Sequence, residues 1–467
     1  MKFRTILTIA LFAALSLSAQ VADFTPQTPL LTAILHNDPT EVKRLLASGT
    51  NPSEGRFLGS PPIFLALMME NPSVIRPLIE AGADLRATDR AGSTPLMWAA
   101  SNEAASSGIV NEILKRGVDP NAQNKSGDTA LIRAMRRGYT PVVEALKKAG
   151  ASDTQLVKQS VEKAVALLQK SGPEFVKVSG CTSCHHQSLP QMAYAKARER
   201  GFQVNADISQ QQIKAVIATF KPMREIMLQG KDQLPDPSIS VSYSLIGLLA
   251  EGYAPDETTE AMAHLVSTKQ DADGSFRALP GRPPIESSVF AATALSIRAL
   301  QAYGKEPEPQ IRKASEWLRT ATPQTTEDRV MQLLGLAWSK GRKEDLKKFA
   351  QALVTLQQQD GGWAQLPALG SDAYATGQAL VALQNSGQLD VSDAIYQRGV
   401  SFLLRTQEVD GSWRVRSRAF PFQPYKESGF PHGRDQWISA AGTSWAVMAL
   451  SLTAPRPQQL SNAFLEF

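Results

Sequence analysis

Apolar and polar residues follow one another along the chain in two different helical patterns. In roughly the first 154 of the 467 residues, short apolar segments recur about every 33 positions, and from about Gln155 they lengthen into successive pairs of helices. Because a chain of this length exceeds a single hydrophobic core, two or more domains are expected. The pattern predicts an all-α protein built from two repeat systems.

The units of the first repeat open with the pattern T-P-L-x-x-A, in copies of differing strength. They occupy residues 28–33, 61–66, 94–99 and 129–134, so that their alanines lie 33, 33 and 35 residues apart. Each unit ends in a glycine turn, because glycine permits the positive φ that closes a helix. The turn glycines are Gly49, Gly82, Gly117 and Gly150. These segments resemble ankyrin repeats, about four of them, over residues 26–154.

The resemblance to ankyrin repeats implies a stack of helix pairs, in which neighbouring units share one continuous core. It also implies a binding surface on the turns and the concave face, usually for another protein. The alternative is that the stack is a packing module for the C-terminal part of the chain.

The second repeat is marked by three copies of the pattern Q-x-x-D-G-[SG]-[WF]. They stand at residues 270–276, 357–363 and 407–413, and each is followed by a helix rich in small residues. We expect the glutamine and aspartate side chains to satisfy backbone groups at helix ends, the glycine to make the bend, and the aromatic ring to pack between hairpins.

These segments resemble the QW repeats of squalene-hopene cyclases and related prenyltransferase folds, over residues 155–455. The resemblance implies an α6/α6 toroid, in which six inner helices line a central cavity and six outer helices surround them. The six predicted hairpins are 156–201, 207–253, 258–304, 309–341, 344–387 and 392–453.

The catalytic acid of those cyclases is the feature that the sequence lacks. The family's D-x-D-D-T motif has only residues 371–376, SDAYAT, as a counterpart, and Asp372 is the single carboxylate there. One isolated carboxylate lacks the neighbouring acids that would keep it protonated. Asp372 is therefore a weak catalytic candidate, better explained as the first residue of a helix. For this reason we do not expect a working cyclase. The zinc ligands of protein prenyltransferases have no counterpart in the sequence either.

The N-terminus has the layout of a secretory signal. Lys2 and Arg4 precede an apolar run over residues 6–17, and small residues follow it. The run is short for a membrane span, so we predict a signal peptide over residues 1–19 and a periplasmic or secreted protein with no membrane span after its removal. An uncleaved anchor is the alternative. Residues 456–467 are predicted to be a tail.

The charge of the chain does not point to nucleic acid. The net charge of +5 falls to +3 when Lys2 and Arg4 are removed, and the remaining basic residues are dispersed. The cysteines are more informative, because the chain contains only two and they lie three positions apart. A disulfide-rich scaffold is excluded, and the two thiols are expected to serve each other or a ligand.

Those two thiols lie in the segment C-T-S-C-H-H, which contains the attachment signature of a c-type haem. Cys181 and Cys184 would form the two thioether bonds, and His185 would bind the haem iron as an axial ligand. Export agrees with this prediction, since c-type haem is attached outside the cytoplasm. The sixth iron ligand is left open.

Three other interpretations of the segment compete with haem. They are a reversible disulfide between the two thiols, a metal site formed by both cysteines with His185 and His186, and a loop without a ligand. With haem, electron transfer to a redox partner or haem-ligand binding is the expected role, with the ankyrin repeats binding protein. The alternatives are a non-catalytic binding scaffold and a degenerate cyclase that uses Asp372.

Overall fold

The computed structural model describes residues 26, 28–102, 107–231, 234, 236–279, 281–420 and 425–457. Over these residues the chain forms helices and no strands, which confirms the all-α prediction. The chain divides into two compact units between Asp153 and Thr154. None of the described helices is long and apolar enough to cross a membrane. The predicted signal peptide, residues 1–19, lies outside the described residues.

Over its described residues, the first unit forms four successive helix pairs. Its helices are α1 Pro29–Leu35, α2 Pro39–Ala47, α3 Pro62–Met68, α4 Pro72–Glu80, α5 Pro95–Ser101, α6 Ser107–Lys115, α7 Ala130–Met135 and α8 Pro141–Lys148. The T-P-L pattern explains where the first helix of a pair begins. Thr28 and Thr94 cap their helices by accepting a hydrogen bond from the backbone N–H three residues later, and proline occupies the first turn of both. Each helix contacts the equivalent helix of the next pair, so the pairs stack.

The second unit contains longer helices, again in pairs. They are α9 Thr154–Ser179, α10 Leu189–Glu199, α11 Ala206–Phe220, α12 Arg224–Leu228, α13 Pro237–Ala250, α14 Glu257–Ser267, α15 Val289–Tyr303, α16 Glu308–Thr320, α17 Thr326–Trp338, α18 Lys343–Val354, α19 Ala373–Asn385, α20 Ala394–Thr406 and α21 Gln436–Ser451. Short helical turns at Cys184–Ser188, Lys221–Met223 and Gly433–Asp435 precede α10, α12 and α21.

Six of these helices, α10, α13, α15, α17, α19 and α21, contact one another in a closed cycle, and we call them the inner helices. Each contacts the next in that order, and α21 contacts α10. Small residues allow the close approach that this requires. A Cβ atom added to Gly377 of α19 would lie 2.6 Å from the carbonyl carbon of Trp445 in α21, so only glycine fits there.

The three Q-x-x-D-G segments, which we call the closing turns, each follow an outer helix, the first helix of a hairpin, and precede the inner helix of the same hairpin. Each glutamine donates from Nε2 to the glycine carbonyl of its own turn and to a carbonyl of the next outer helix. The acceptor pairs are Gly274 and Gln310 for Gln270, Gly361 and Ile395 for Gln357, and Gly411 and Ser160 for Gln407. Because Ser160 belongs to α9, the hydrogen bond of Gln407 connects the last hairpin to the first.

The third closing turn, residues 407–413, illustrates what the other residues of the pattern do. Asp410 accepts a hydrogen bond from the backbone N–H of Ser412 at 2.9 Å, and Gly411 has a φ of 93°. Trp413 is buried, and its indole Nε1 donates to the carbonyl of Leu403 at 2.8 Å. The turn is therefore specified by its own side chains and by the hairpin that it contacts.

Candidate functional site

The two cysteines lie in the turn between α9 and α10, which we call the cysteine turn, residues 181–188. Cys181 is exposed, Cys184 is buried, and no disulfide joins them. The turn is fixed by Gln187, whose Oε1 accepts from the backbone N–H of Ser183 at 2.8 Å and whose Nε2 donates to the carbonyl of Gly172 at 2.9 Å. The side chains that carry the predicted chemistry are thus attached to an ordered backbone.

The two histidines of the turn are held differently. Their Nδ1 atoms lie 2.5 Å apart, and Nε2 of His186 lies 2.9 Å from the hydroxyl oxygen of Ser428. The ring of His186 also stacks on Phe175, with 4.5 Å between ring centroids. Nε2 of His185 has no hydrogen-bond partner in the described parts of the chain. Of these two imidazoles, only His185 keeps a ring nitrogen available for a ligand.

Burial sets the protonation of both imidazoles. It lowers the pKa of His186 to about 3 and holds the pKa of His185 well below its ordinary value, with the neighbouring His186 and Arg282 adding to the effect on His185. Both rings are therefore neutral at pH 7. The short contact between their Nδ1 atoms then requires that one of these atoms carries a proton and the other accepts it. A neutral imidazole is also the form that binds a metal ion.

Cys184 contacts the ion pair of Arg282 and Glu286, which lie about 100 positions later in the chain. Its Sγ is 4.0 Å from Oε1 of Glu286, and Arg282 donates from Nε to Oε2 of the same carboxylate at 2.6 Å. Burial, with the charge of Glu286 second, raises the pKa of the Cys184 thiol to about 12. A thiol with such a pKa is protonated at pH 7, which disfavours it as a nucleophile or a metal ligand.

Further polar groups are buried around Cys184. The hydroxyl of Tyr374 donates to Oε1 of Glu327 at 3.3 Å, and burial raises the pKa of Glu327 to about 8. The pKa of Tyr243 lies well above its ordinary value, first because of burial and then because of the nearby Glu327 and Cys184. Each of these three residues lies in the first half of an inner helix. Cys184, Tyr243, Glu286, Glu327 and Tyr374 are called the buried cluster below.

The sequence prediction missed Glu286, Glu327, Tyr243 and Arg282. A signal for Glu327 was present, because a carboxylate in the first turn of a helix that is otherwise largely apolar is costly to bury unless it is protonated or paired. Arg282 and Glu286 gave no such signal. They are about 100 positions from Cys184, and only the closed cycle of inner helices brings them to it.

Asp372, the weak catalytic candidate, caps a helix. Its Oδ1 accepts from the backbone N–H of Ala375 at 3.0 Å at the start of α19, and burial raises its pKa to about 6. This is the helix-start role that the sequence favoured.

The alternative of a metal ion held by Cys181, Cys184, His185 and His186 is not supported by the geometry. Within the described ranges, no three His, Cys, Asp or Glu side chains are arranged to hold a metal ion. The reason is physical: Cys181 faces solvent while Cys184 is buried, and the two imidazoles bond to each other.

Comparison with known proteins identifies part of the first unit. Residues 30–124 match the family model for ankyrin repeats, in three copies. The fourth helix pair, α7 and α8, lies beyond the matched residues. Among curated proteins, none matches the chain at a significant level. The first unit thus contains ankyrin repeats, and these repeats support a role in protein interaction.

Proposed function

We propose that the second unit carries one covalent c-type haem on the cysteine turn, and that the protein transfers electrons to or from a partner that the ankyrin repeats help to bind. The observation that carries the proposal is the difference between the two histidines. The residue directly after the second cysteine, His185, is the one with a free Nε2, as the attachment pattern requires, whereas both nitrogens of His186 are engaged.

Each residue of the cysteine turn would have its own role in holding the haem. Cys181 and Cys184 would supply the two thioether sulfurs, and His185 would supply the axial nitrogen. His186, fixed by Ser428 and Phe175, would hold the ring of His185 through the contact between the Nδ1 atoms. A bound haem supplies one-electron chemistry.

The burial of Cys184 sets one condition on haem attachment. Cys181 is accessible in the folded chain, but Cys184 is covered by the segment that contains Arg282 and Glu286. The sulfur of Cys184 must therefore react before that segment packs over it, or after the segment has moved aside.

Two further parts of the proposal concern location and fold class. We propose that residues 1–19 direct export and that the mature protein is periplasmic or secreted, as haem attachment to a C-x-x-C-H segment requires. We also propose that the second unit belongs with the α/α toroids of terpenoid cyclases and prenyltransferases. The closed cycle of six inner helices and the closing turns support this fold class.

The test is expression of the full chain together with the machinery that attaches c-type haem. We expect a red protein whose intact mass equals the polypeptide after signal removal plus one haem, with the spectrum of a two-thioether pyridine haemochrome. His185→Ala should keep the covalent haem but lose the spectrum of the imidazole-bound iron. His264→Ala, at an exposed position of α14, is the matched control and should keep that spectrum.

A colourless product of bare polypeptide mass would rule the proposal out. Reversible oxidation of the two free thiols in that product would then favour the disulfide alternative. If His185→Ala kept the spectrum of the imidazole-bound iron, the assignment of the axial ligand would be wrong.

A second candidate function is a non-catalytic binding scaffold, which the ankyrin repeats favour. It predicts that a variant lacking both thiols, Cys181→Ala with Cys184→Ala, supports every function of the wild-type protein in its host. Loss of function in this variant, with an unchanged melting temperature, would count against the scaffold.

A further inference from the structure

The hydroxyl of Ser428, which contacts His186, donates its single hydrogen to a different group. The amide of Gln436, the first residue of α21, accepts at Oε1 from the backbone N–H of Ser428 at 3.1 Å and donates from Nε2 to the carbonyl of Lys426. These two contacts fix which end of the amide is the oxygen. Because Oγ of Ser428 lies 2.5 Å from this oxygen, and an amide oxygen can only accept, the hydroxyl hydrogen points to Gln436. His186 therefore faces lone pairs of Ser428.

This arrangement determines which nitrogen of His186 carries a hydrogen. Nε2 of His186 lies 2.9 Å from Oγ of Ser428, and because two lone pairs facing each other would repel, Nε2 must be the donor. The ring is 1 % exposed and has no carboxylate partner within the described ranges. A buried imidazolium without such a partner is costly, so the ring is neutral and its Nδ1 has no hydrogen. The Nδ1 of His185, 2.5 Å away, must therefore bring the hydrogen of that contact.

A second pair of glutamine and serine, inside the cysteine turn, leads independently to the same hydrogen on His185. Oε1 of Gln187 accepts from the backbone N–H of Ser183, and Oγ of Ser183 lies 3.3 Å from that oxygen, so this hydroxyl also donates to an amide. Nδ1 of His185 lies 3.4 Å from the same Oγ, where it again faces a lone pair. Both serines thus favour a hydrogen on Nδ1 of His185. Since this neutral ring has one hydrogen, its Nε2 is left with a lone pair.

We propose that Ser428 and Gln436 are positioning residues for His185. By holding the hydrogen of His186 on Nε2, they hold that of His185 on Nδ1, and Nε2 of His185 is kept ready to donate its electron pair to iron. Iron binds an imidazole through such a lone pair, so the opposite tautomer of His185 would first have to move its hydrogen. The link to haem rests on the proposed function, but the tautomer is a property of the haem-free chain and can be measured there.

The test is nitrogen-15 NMR of the full chain, labelled at histidine and produced without the haem-attachment machinery. Protonated and unprotonated imidazole nitrogens have distinct chemical shifts, and His185→Gln and His186→Gln assign the signals. We expect the hydrogen of His185 on Nδ1, which is the less common form of a neutral histidine in water, and the hydrogen of His186 on Nε2. A His185 ring whose hydrogen lies on Nε2, or is shared equally between its two nitrogens, would overturn the proposal.

Variants assign the tautomer to the two positioning residues. Gln436→Leu removes the acceptor of the Ser428 hydrogen, so the hydroxyl becomes free to donate to Nε2 of His186. We expect the ratio of the two His185 tautomers to shift by about fivefold or more towards the form with hydrogen on Nε2, as the loss of one hydrogen bond implies. Ser428→Ala should shift the ratio in the same direction, and Ser428→Thr, which keeps the hydroxyl, should retain the wild-type ratio. An unchanged ratio in both Gln436→Leu and Ser428→Ala would contradict the assignment.

The matched control is a contact between a serine and a histidine elsewhere in the second unit. Oγ of Ser412, in the third closing turn, lies 2.8 Å from Nε2 of His432. Ser412→Ala should change the signals of His432 and leave those of His185 as in the wild type. A shift of the His185 tautomers in Ser412→Ala as large as in Ser428→Ala would contradict the specific role of Ser428. A protein that has the expected tautomer but takes up no haem would overturn the proposed function and leave the assignment of the hydrogens intact.

Discussion

The cysteine turn and the closing turns occupy the same place in their hairpins, between an outer and an inner helix, but they use their side chains differently. In a closing turn, the glutamine, aspartate, glycine and aromatic residue all satisfy or shape the backbone, and the glutamine reaches the next hairpin. In the cysteine turn, Gln187 holds the backbone through both ends of its amide and Ser183 holds it through its hydroxyl, whereas the two thiols and Nε2 of His185 take no part in holding it. In a repeat protein, a turn that lacks the recurring structural residues is thus the place to look for candidate functional residues.

The comparison predicts that stability depends on the closing turns and chemistry on the cysteine turn. The strongest test is Trp413→Ala, which removes a fully buried indole and should lower the free energy of unfolding of the second unit by about 3–5 kcal/mol. Val409→Ala in the same turn is the control, since Val409 is 95 % exposed, and should stay within about 0.5 kcal/mol. Thermal and denaturant unfolding measure both. Equal losses of unfolding free energy in the two variants would show that the turn has no structural role.

Two glycines with positive φ provide the next test, one in a closing turn and one directly before the cysteine turn. A Cβ atom on Gly411 would lie 2.8 Å from the Cβ of Lys163 in α9, whereas one on Gly180, beside the cysteine turn, would meet nothing within 4 Å. Gly411→Ala should therefore cost about 2–4 kcal/mol, from backbone strain and a clash at the junction of the last and first hairpins. Gly180→Ala should cost only the strain, about 1 kcal/mol. Denaturant unfolding measures the loss of unfolding free energy in both variants. A larger loss for Gly180→Ala would contradict the predicted clash at the junction of the last and first hairpins.

The buried cluster next to the cysteine turn should make stability depend on pH. The pKa of Glu327 is about 8 in the folded protein and near 4.3 in an unfolded chain, so between these values the folded state holds a proton that the unfolded state releases. Its contribution is complete below about pH 4 and is lost as the pH rises towards 8, at about 1 kcal/mol per pH unit.

Glu327→Gln should remove this slope from the unfolding free energy measured between pH 5 and 7.5. Glu408→Gln, at an exposed position in the third closing turn, makes the same chemical change as a control. An unchanged slope in Glu327→Gln would show that the Glu327 carboxyl group ionises in the folded state.

The smallest expected effect on stability belongs to Cys181, which we propose as one of the two haem attachment points. Cys181 is exposed, so Cys181→Ala should change the free energy of unfolding by no more than about 0.5 kcal/mol. The same variant should lose one of the two thioether bonds in protein produced with the haem-attachment machinery, as peptide mass spectrometry would show. A marked loss of stability would mean that Cys181 has a structural role after all.

The parts of the fold that could be predicted from the sequence are those specified by neighbouring residues. Thr28 and Thr94 cap the helices that follow them, and Asp410 and Gly411 shape the turn in which they lie. Such contacts span a few positions, so a repeated pattern reveals them. The all-α class and the ankyrin repeats followed from these local rules.

The surroundings of the candidate site could not be predicted in the same way. His186 meets Ser428, 242 positions away, and Cys184 meets Glu286, 102 positions away. Nothing in either segment indicates its partner, because the contact depends on how the inner helices close.

The hydrogen bond from Gln407 to Ser160 spans 247 positions, and it limits how the second unit can be made and how it can evolve. While the chain is being synthesised, the side chain of Gln407 cannot reach the first outer helix until the sixth hairpin has emerged, so the unit should complete its folding only near the end of translation. Duplication of a hairpin would leave the two ends of the cycle out of register. A linear stack, such as the ankyrin repeats, can lengthen one unit at a time, but a closed cycle has a fixed number of members.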